Sequence, residues 1–227
     1  MSLFRKSKIG DKGFLSGLTD AHSHILPGVD DGVHHMSDSL AILARYEQLG
    51  ISEVWCTPHI MEDVPNETAR LRGRFAELQA AYKGPIALHL GAEYMLDHLF
   101  DRRLSEGDLL DHGGDDARTL MVETSTVDPP MRFDAILDEI KARGYFPILA
   151  HPERYYYMDK DDYRRLHERG VRFQLNLGSM AGIYGHEPLQ KAKWLLSEGW
   201  YSYVGSDLHS SRMLDMILSG ASFKKIW

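Results

Sequence analysis

Asp20-Ala21-His22-Ser23-His24 runs straight into Ile25-Leu26-Pro27-Gly28-Val29-Asp30-Asp31-Gly32 and so sets two imidazoles and two acids beside one turn. Side chains alternate along a strand, so His22 and His24 would share a face and could grip one cation together. Asp31, returning from the loop, could serve a neighbouring ion. Taken alone, His-x-His is also what a solvated pair at a strand end looks like. The case for a metal site therefore depends on the rest of the chain.

Strand-like apolar segments end near His24, His59, Glu93, Glu123, His151, Asn176 and Asp207, spaced 25 to 35 residues apart. That interval is one β/α unit. Between them lie helical stripes such as Met36, Leu40, Leu43 and Ala44, or Phe133, Ile136, Leu137 and Ile140. Ser37 and Asn66 stand where N-caps are expected, and Gly50, Gly84, Gly144, Gly170 and Gly199 mark helix ends. The Gly113-Gly114-Asp115-Asp116 stretch reads as an exposed loop. Strands alternating with helices imply a parallel sheet, here an α/β fold of seven units forming a distorted (β/α) barrel with its chemistry at the C-terminal strand ends. Six of the seven ends supply His, Asp or Glu, which is too regular to credit to chance.

The composition narrows the field. A chain of 227 residues with 43% hydrophobic side chains can bury one substantial core. Residues 1–17 carry Arg5, Lys6, Lys8 and Lys12 and read as a flexible basic lead-in without the apolar run of a secretory signal, leaving 18–227 as the folded domain. A single cysteine, Cys56, excludes an internal disulfide framework, and no apolar run approaches the roughly 18 residues that span a bilayer. A reducing cytoplasm is expected. The formal charge of −7 argues against a broad nucleic-acid surface, and twelve histidines make metal ligation the first chemistry to test.

Other catalytic plans fail on spacing. Cysteine-dependent phosphoester chemistry places an arginine six residues after its nucleophile, whereas position 62 is Glu and Cys56 lies inside a strand pattern as a small buried hydrophobe. No G-x-S-x-G elbow is present, and dinucleotide and P-loop glycine fingerprints are absent.

With these residues in place, the chain resembles the polymerase-and-histidinol-phosphatase (PHP) superfamily, and within it the CpsB/CapC/YwqE group of bacterial metal-dependent protein-tyrosine phosphatases. The likeness runs from about Leu18 to Arg212. DAHSHILPGVDDG (20–32) is its most specific segment, followed in order by CTPH (56–59), GAEY (91–94), AHPERY (150–155), LNLGSMAGIYG (175–185) and GSDLH (205–209). The resemblance implies a PHP-type barrel and a trinuclear site. In it, His22, His24, Glu93 and Asp207 surround one ion. A bridging Glu93 joins Glu123 and His151 around a second, and Asp31, His59 and His209 hold the third. Imidazole and carboxylate without thiolate suits Mn, Fe or Zn rather than Ca, and the resemblance favours Mn²⁺.

Arg154 lies three residues beyond His151 and could fork a phosphate, or else pair with Glu153 or Asp159 at the surface. The family has an arginine at that place, which favours the phosphate. Arg212 follows His209 by three residues, closer than the family's second phosphate arginine, so its part stays open. Asp20 either orients an imidazole through its far nitrogen or caps a turn. Tyr155, Tyr156 and Tyr157 could stack on a substrate ring or serve as packing. Thr124-Ser125 replace an apolar residue common in relatives and point to a more polar pocket.

The expected activity is hydrolysis of phosphotyrosine on the tyrosine-rich tail of a bacterial tyrosine kinase of polysaccharide export; that setting comes from the resemblance. The expected chemistry is a metal-activated hydroxide, charge neutralisation by the ions and Arg154, and no covalent phosphoenzyme. A phenol with a pKa of about 10 leaves readily, with His59 or His209 able to share its protonation. Two other readings stand beside it: a small-molecule phosphatase or phosphodiesterase of the same architecture, and a catalytically silent kinase-docking protein.

Overall fold

Pro58 brings no amide hydrogen to a parallel ladder, and this one residue helps explain how the strands group. The computed structural model describes residues 8–11, 13–113 and 118–221. Within them the chain alternates as expected: β1 (Thr19–Ser23), α1 (Met36–Leu49), β2 (Glu53–Cys56), β3 (His59–Ile60), α2 (Thr68–Ala81), β4 (Ala87–Leu90), β5 (Glu93–Met95), α3 (His98–Glu106), β6 (Thr119–Glu123), α4 (Phe133–Ala142), β7 (Phe146–Leu149), α5 (Lys160–Glu168), β8 (Arg172–Asn176), α6 (Leu177–Ala181), α7 (His186–Glu198), β9 (Tyr201–Gly205) and α8 (Ser211–Ser219). A 3₁₀ turn, Pro152–Arg154, follows β7.

The strands do not join into one closed seven-stranded ladder. The segments ending at His59 and Glu93 each break in two, giving one sheet of order β1-β2-β4 and another of order β3-β5-β6-β7-β8-β9, neither closed. All pairings within them are parallel. Single backbone bonds span the break, Gly91 N to Cys56 O at 2.9 Å and Glu93 N to Pro58 O at 3.1 Å. At the far edge, β1 meets the chain just after β9 through one parallel bridge, Ser23 to Leu208. There Asp207 N donates to His22 O (2.7 Å) and His24 N to Leu208 O (3.0 Å). Gly205 permits this approach, since a Cβ on it would stand 2.4 Å from the Cβ of His22.

Helices cover the sheets with their apolar faces. α4 buries Phe133, Ile136, Leu137 and Ile140, the stripe its spacing predicts. α1 is rotated from expectation: it buries Ser39, Ile42, Leu43 and Tyr46, while Ala44 is exposed. Ser39 is drawn inward because its hydroxyl reaches Ile25 O at 2.7 Å. The cap of α1 is His35 rather than Ser37, and that of α2 is Glu67 rather than Asn66. The Asn66 side chain instead ties Val29 O and His59 O together, at 2.9 Å each. Gly50 and Gly199 end α1 and α7 in the left-handed region, whereas α2 ends at Tyr82, before Gly84.

Of the expected lead-in, Ile9 and Leu15 are buried in the core and Gly10 N bonds Leu218 O, so this part is packed rather than free. Arg5, Lys6 and Lys12, like most of the expected 113–116 loop, lie outside the described residues. No helix among the described residues is long and apolar enough to cross a membrane.

Candidate metal centre

The side chains of strand ends and following loops converge. His22 Nε2 and His24 Nε2 lie 3.1 Å apart. Glu93 Oε2 stands 3.2 and 3.3 Å from them, and Asp207 Oδ1 stands 3.5 and 3.3 Å away. These four residues are buried and form one group able to hold a cation. His24, Asp31, His59 and His209 form a second, and His59, Glu93 and Glu123 a third. His151 Nε2 joins the third from the side, 2.9 Å from Glu93 Oε1 and 3.7 Å from Glu123 Oε2. All nine residues singled out by spacing and resemblance are therefore brought together. The grouping differs in two respects: His24 and His59 each belong to two groups, and His151 stands beside the Glu93–Glu123 group rather than in it.

The far nitrogens fix which atoms face inward. Gln174 Oε1 accepts from His22 Nδ1 at 2.9 Å, and its orientation is set because the same oxygen accepts from His151 N while its amide donates to Leu175 O. Asp30 Oδ2 accepts from His24 Nδ1 at 2.9 Å and from His59 N at 3.1 Å. A donating Nδ1 leaves Nε2 as a lone pair, so both Nε2 atoms face two carboxylates and each other. Such an arrangement needs positive charge at its centre.

Several atoms have no partner but one another. Glu93 Oε2, Glu123 Oε1 and His59 Nδ1 are buried without hydrogen bonds, although the imidazole approaches the two oxygens to 3.2 and 3.1 Å. Buried polar atoms in proteins are normally satisfied, so this orphaned set fits divalent cations held by nitrogen and oxygen. The electrostatics agree. Burial by itself would lower the His22 pKa, but the charges of Glu93 and Asp207 outweigh it and hold the ring at about 9. Burial would likewise raise Glu93, yet the surrounding imidazoles hold it well below the usual carboxylate range. Asp31 is held down at about 2, chiefly by its hydrogen bond with His209. Burial pushes the Cys56 thiol up, and that side chain is inaccessible, so it is no nucleophile.

The remaining candidates separate. Arg154 does not pair with Glu153 or Asp159; its Nη1 donates to Asp207 Oδ2 at 2.8 Å, with the side chain 26% exposed. Arg212 is exposed on α8 and lines, with His34, a cavity of about 340 Å³ that shares His209 with the cluster. Asp20 touches no imidazole ring. It accepts from Tyr46 Oη (2.8 Å), Ser206 N (2.7 Å), Ser206 Oγ (2.7 Å) and His22 N (3.3 Å), so it braces the backbone from which His22 and Asp207 project. Tyr155 is buried 5.8 Å from the His151 ring and stacks with Tyr157, whose hydroxyl meets Thr124 Oγ1; only Tyr156 is exposed.

Sequence reasoning missed Gln174, Asp30, Asn176 and Glu153. Asn176 Nδ2 donates to Asp207 Oδ2 at 2.9 Å, and the buried Glu153 accepts from Asn176 N and Tyr201 Oη. Period two counted back from the strand end at Asn176 would have flagged Gln174. Asp30 adjoins Asp31 and carries the same side chain, so spacing alone does not tell the two apart.

Two residues that anchor this rim are left-handed without being glycine: His151 at φ 33° and Asp207 at φ 52°. They are the two such residues among those described, and each turns its strand end back toward the cluster.

Comparison with known proteins gives a consistent result. The chain is 29% identical over 199 residues to the tyrosine-protein phosphatase YwqE of Bacillus subtilis, covering 85% of this chain and 78% of that one. It is 27% identical to the tyrosine-protein phosphatase CpsB of Streptococcus pneumoniae, covering 85% and 83%. A solved structure from work on YwqE and CpsB, described there as metal-dependent tyrosine phosphatases, superposes with a TM-score of 0.72 at 25% identity, covering 86% of this chain and 81% of that one. A family model for capsular polysaccharide synthesis, CpsB/CapC, matches residues 18–217, so the chain belongs to the CpsB/CapC family.

Proposed function

We propose that this chain is a metal-dependent protein-tyrosine phosphatase that hydrolyses phosphotyrosine on a protein partner. The observation that carries the reading is Glu93, a fully buried carboxylate with one oxygen toward His151 and the other toward His22, His24 and His59. A carboxylate so placed is suited to bridge two cations. We assign His22, His24, Glu93 and Asp207 to one ion, Glu93, Glu123 and His151 to a second with His59 alongside, and Asp31, His59 and His209 to a third, with Mn²⁺ as the metal. Together the two open sheets would serve as the wall of a distorted PHP-type barrel.

Bound cations would supply a water of lowered pKa and positive charge for the phosphoryl oxygens. The protein's own part is positional. Gln174 and Asp30 hold two imidazoles in the ligating tautomer. Arg154 offers its guanidinium fork to the phosphoryl oxygens that face away from the cluster. His59 and His209, whose side chains are 12% and 27% exposed, reach the rim from which a phenol would depart, and a phenol with a pKa of about 10 leaves without a proton from either ring. With Cys56 sealed in the core, water attacks phosphorus directly and no phosphoenzyme forms.

The family's description supports a partner in capsular polysaccharide synthesis, and the relatives' names support a phosphotyrosine substrate; our reading makes that partner the tyrosine-rich tail of a bacterial tyrosine kinase, met in the cytoplasm. The deciding experiment measures phosphate release from a phosphotyrosine peptide by metal-stripped protein, with and without Mn²⁺, beside His24→Ala and Cys56→Ser. Turnover that needs Mn²⁺, vanishes in His24→Ala and persists in Cys56→Ser supports the proposal. No turnover with metal fully bound overturns it in favour of small-molecule phosphates or a silent docking role.

A further inference from the structure

Arg154 is the rim's cation, yet only one of its five N–H groups is engaged. Nη1 donates to Asp207 Oδ2 at 2.8 Å, and the other four have no hydrogen-bond partner among the described residues. One hydrogen bond leaves a guanidinium free to swing about it. The second restraint is Tyr184, whose ring centroid lies 4.4 Å from Arg154 Cζ.

That ring is itself held in place. Gly182 ends α6 in the left-handed region, with Gly182 N bonded to Ser179 O and Ile183 N to Gly178 O, both at 3.0 Å, which delivers Tyr184 back over the helix. At Gly178 a Cβ would stand 2.9 Å from Tyr184 Cε2, so the ring lies directly on the bare backbone there. Asn176 caps the same short helix through Gly178 N and Ser179 N while its amide donates to Asp207 Oδ2. One local unit thus presents both the ring and the carboxylate that pin Arg154. The ring fixes the plane and the carboxylate fixes one corner.

We infer that Tyr184 is a positioning residue for anion recognition: its ring holds the Arg154 guanidinium so that the free N–H edge stays turned toward a phosphoryl group. The inference rests on the phosphatase reading for the identity of the anion. A planar cation is attracted to a ring face, and an arginine held in one plane loses less freedom when it forks an oxyanion. The Tyr184 hydroxyl meets the Asn176 side chain, but it is the ring face that holds the guanidinium, so Phe should replace Tyr and an aliphatic side chain should not.

The test uses the full chain loaded with Mn²⁺ and reads two quantities: the dissociation constant for inorganic phosphate by calorimetry, and KM and kcat for p-nitrophenyl phosphate. Tyr184→Leu should raise the phosphate constant and KM together by about fivefold, the scale of one cation–π contact, with kcat changed less than about twofold. Tyr184→Phe should restore both constants. In an Arg154→Ala background, Tyr184→Leu should add nothing, because the ring acts only through the guanidinium. Metal content and melting temperature, measured on every variant, guard against a fold defect. The inference is overturned if Tyr184→Leu binds phosphate as tightly as the parent chain, if Phe fails to rescue, if the two substitutions add independently, or if the parent chain binds no phosphate. A parent chain that binds phosphate without hydrolysing aryl esters would remove the phosphatase reading alone, and the binding constants would still decide the role of Tyr184.

Discussion

Buried histidines occur in two regions of this molecule, and they behave in opposite ways. At the rim, His22 has two carboxylate oxygens within 3.5 Å and its pKa rises to about 9. Elsewhere His112 is buried just as deeply, stacked 4.3 Å from the Trp55 ring, with Nε2 against Ala21 O at 2.7 Å. Among the described residues no carboxylate pairs with it, and burial lowers its pKa to about 3. Its Nδ1 is an orphan too. What separates a candidate ligand from filler is therefore neither burial nor an unpartnered nitrogen but the anions around the ring. A histidine count finds both kinds, and the acids that share its cavity sort them.

The sharpest way to break this contrast is to remove the shared anion. Glu93→Gln should abolish stoichiometric metal binding and reduce phosphotyrosine turnover by at least about a thousandfold, while His112→Phe should keep both; elemental analysis and phosphate release read the pair. Gln174→Leu frees the His22 ring and the His151 amide without replacing a candidate ligand. It should weaken metal affinity by about ten- to a hundredfold, measured by competition with a chelator.

The two histidines should also give opposite pH slopes in metal-free protein. His22 has a folded pKa above its unfolded value of 6.5, so its contribution is complete below about pH 6.5 and is lost as the pH rises through about 9. His112 has a folded pKa below 6.5, so its contribution is complete above that value and is lost as the pH falls toward about 3. Denaturant midpoints across pH should show each limb at up to about 1.4 kcal/mol per pH unit, and metal should erase the alkaline one by displacing the protons. The smallest effect is expected at Asp20→Asn. It loosens the brace among Tyr46, Ser206 and His22 and should cost about 1–3 kcal/mol of stability in a thermal melt, with little change in metal affinity.

The site's membership could be read from the chain because it follows a rule of position: a parallel β/α unit ends each strand at the same face, so polar residues at strand ends meet. Its internal grouping could not. His24 and His59 reach two groups each because Asp30 pulls on both, through the His24 ring and the His59 amide, and a side chain's reach across a loop leaves no spacing signal. Asp20 sits two residues from His22 and was a candidate to steer a ring, yet the strand irregularity between Asp20 and Ser23 and the nearness of Ser206 turn it to the backbone instead. The rhythm of strands was legible, but the division into two sheets was not. It depends on where the ladder breaks around Pro58, which a pattern of apolar residues passes over. Tyr184 was hidden in the same way, because no spacing within LNLGSMAGIYG shows that its ring turns back over Gly178.

His151 and Asp207, the two left-handed positions, set the molecule's priorities against each other. A side chain in that region carries strain of roughly 1 kcal/mol, and glycine there would relieve it. Here both strained positions carry members of the cluster. Selection for robustness alone would drift these positions toward glycine and silence the centre while hardening the scaffold, so a hyperstable descendant of this chain should be checked there first for a lost activity.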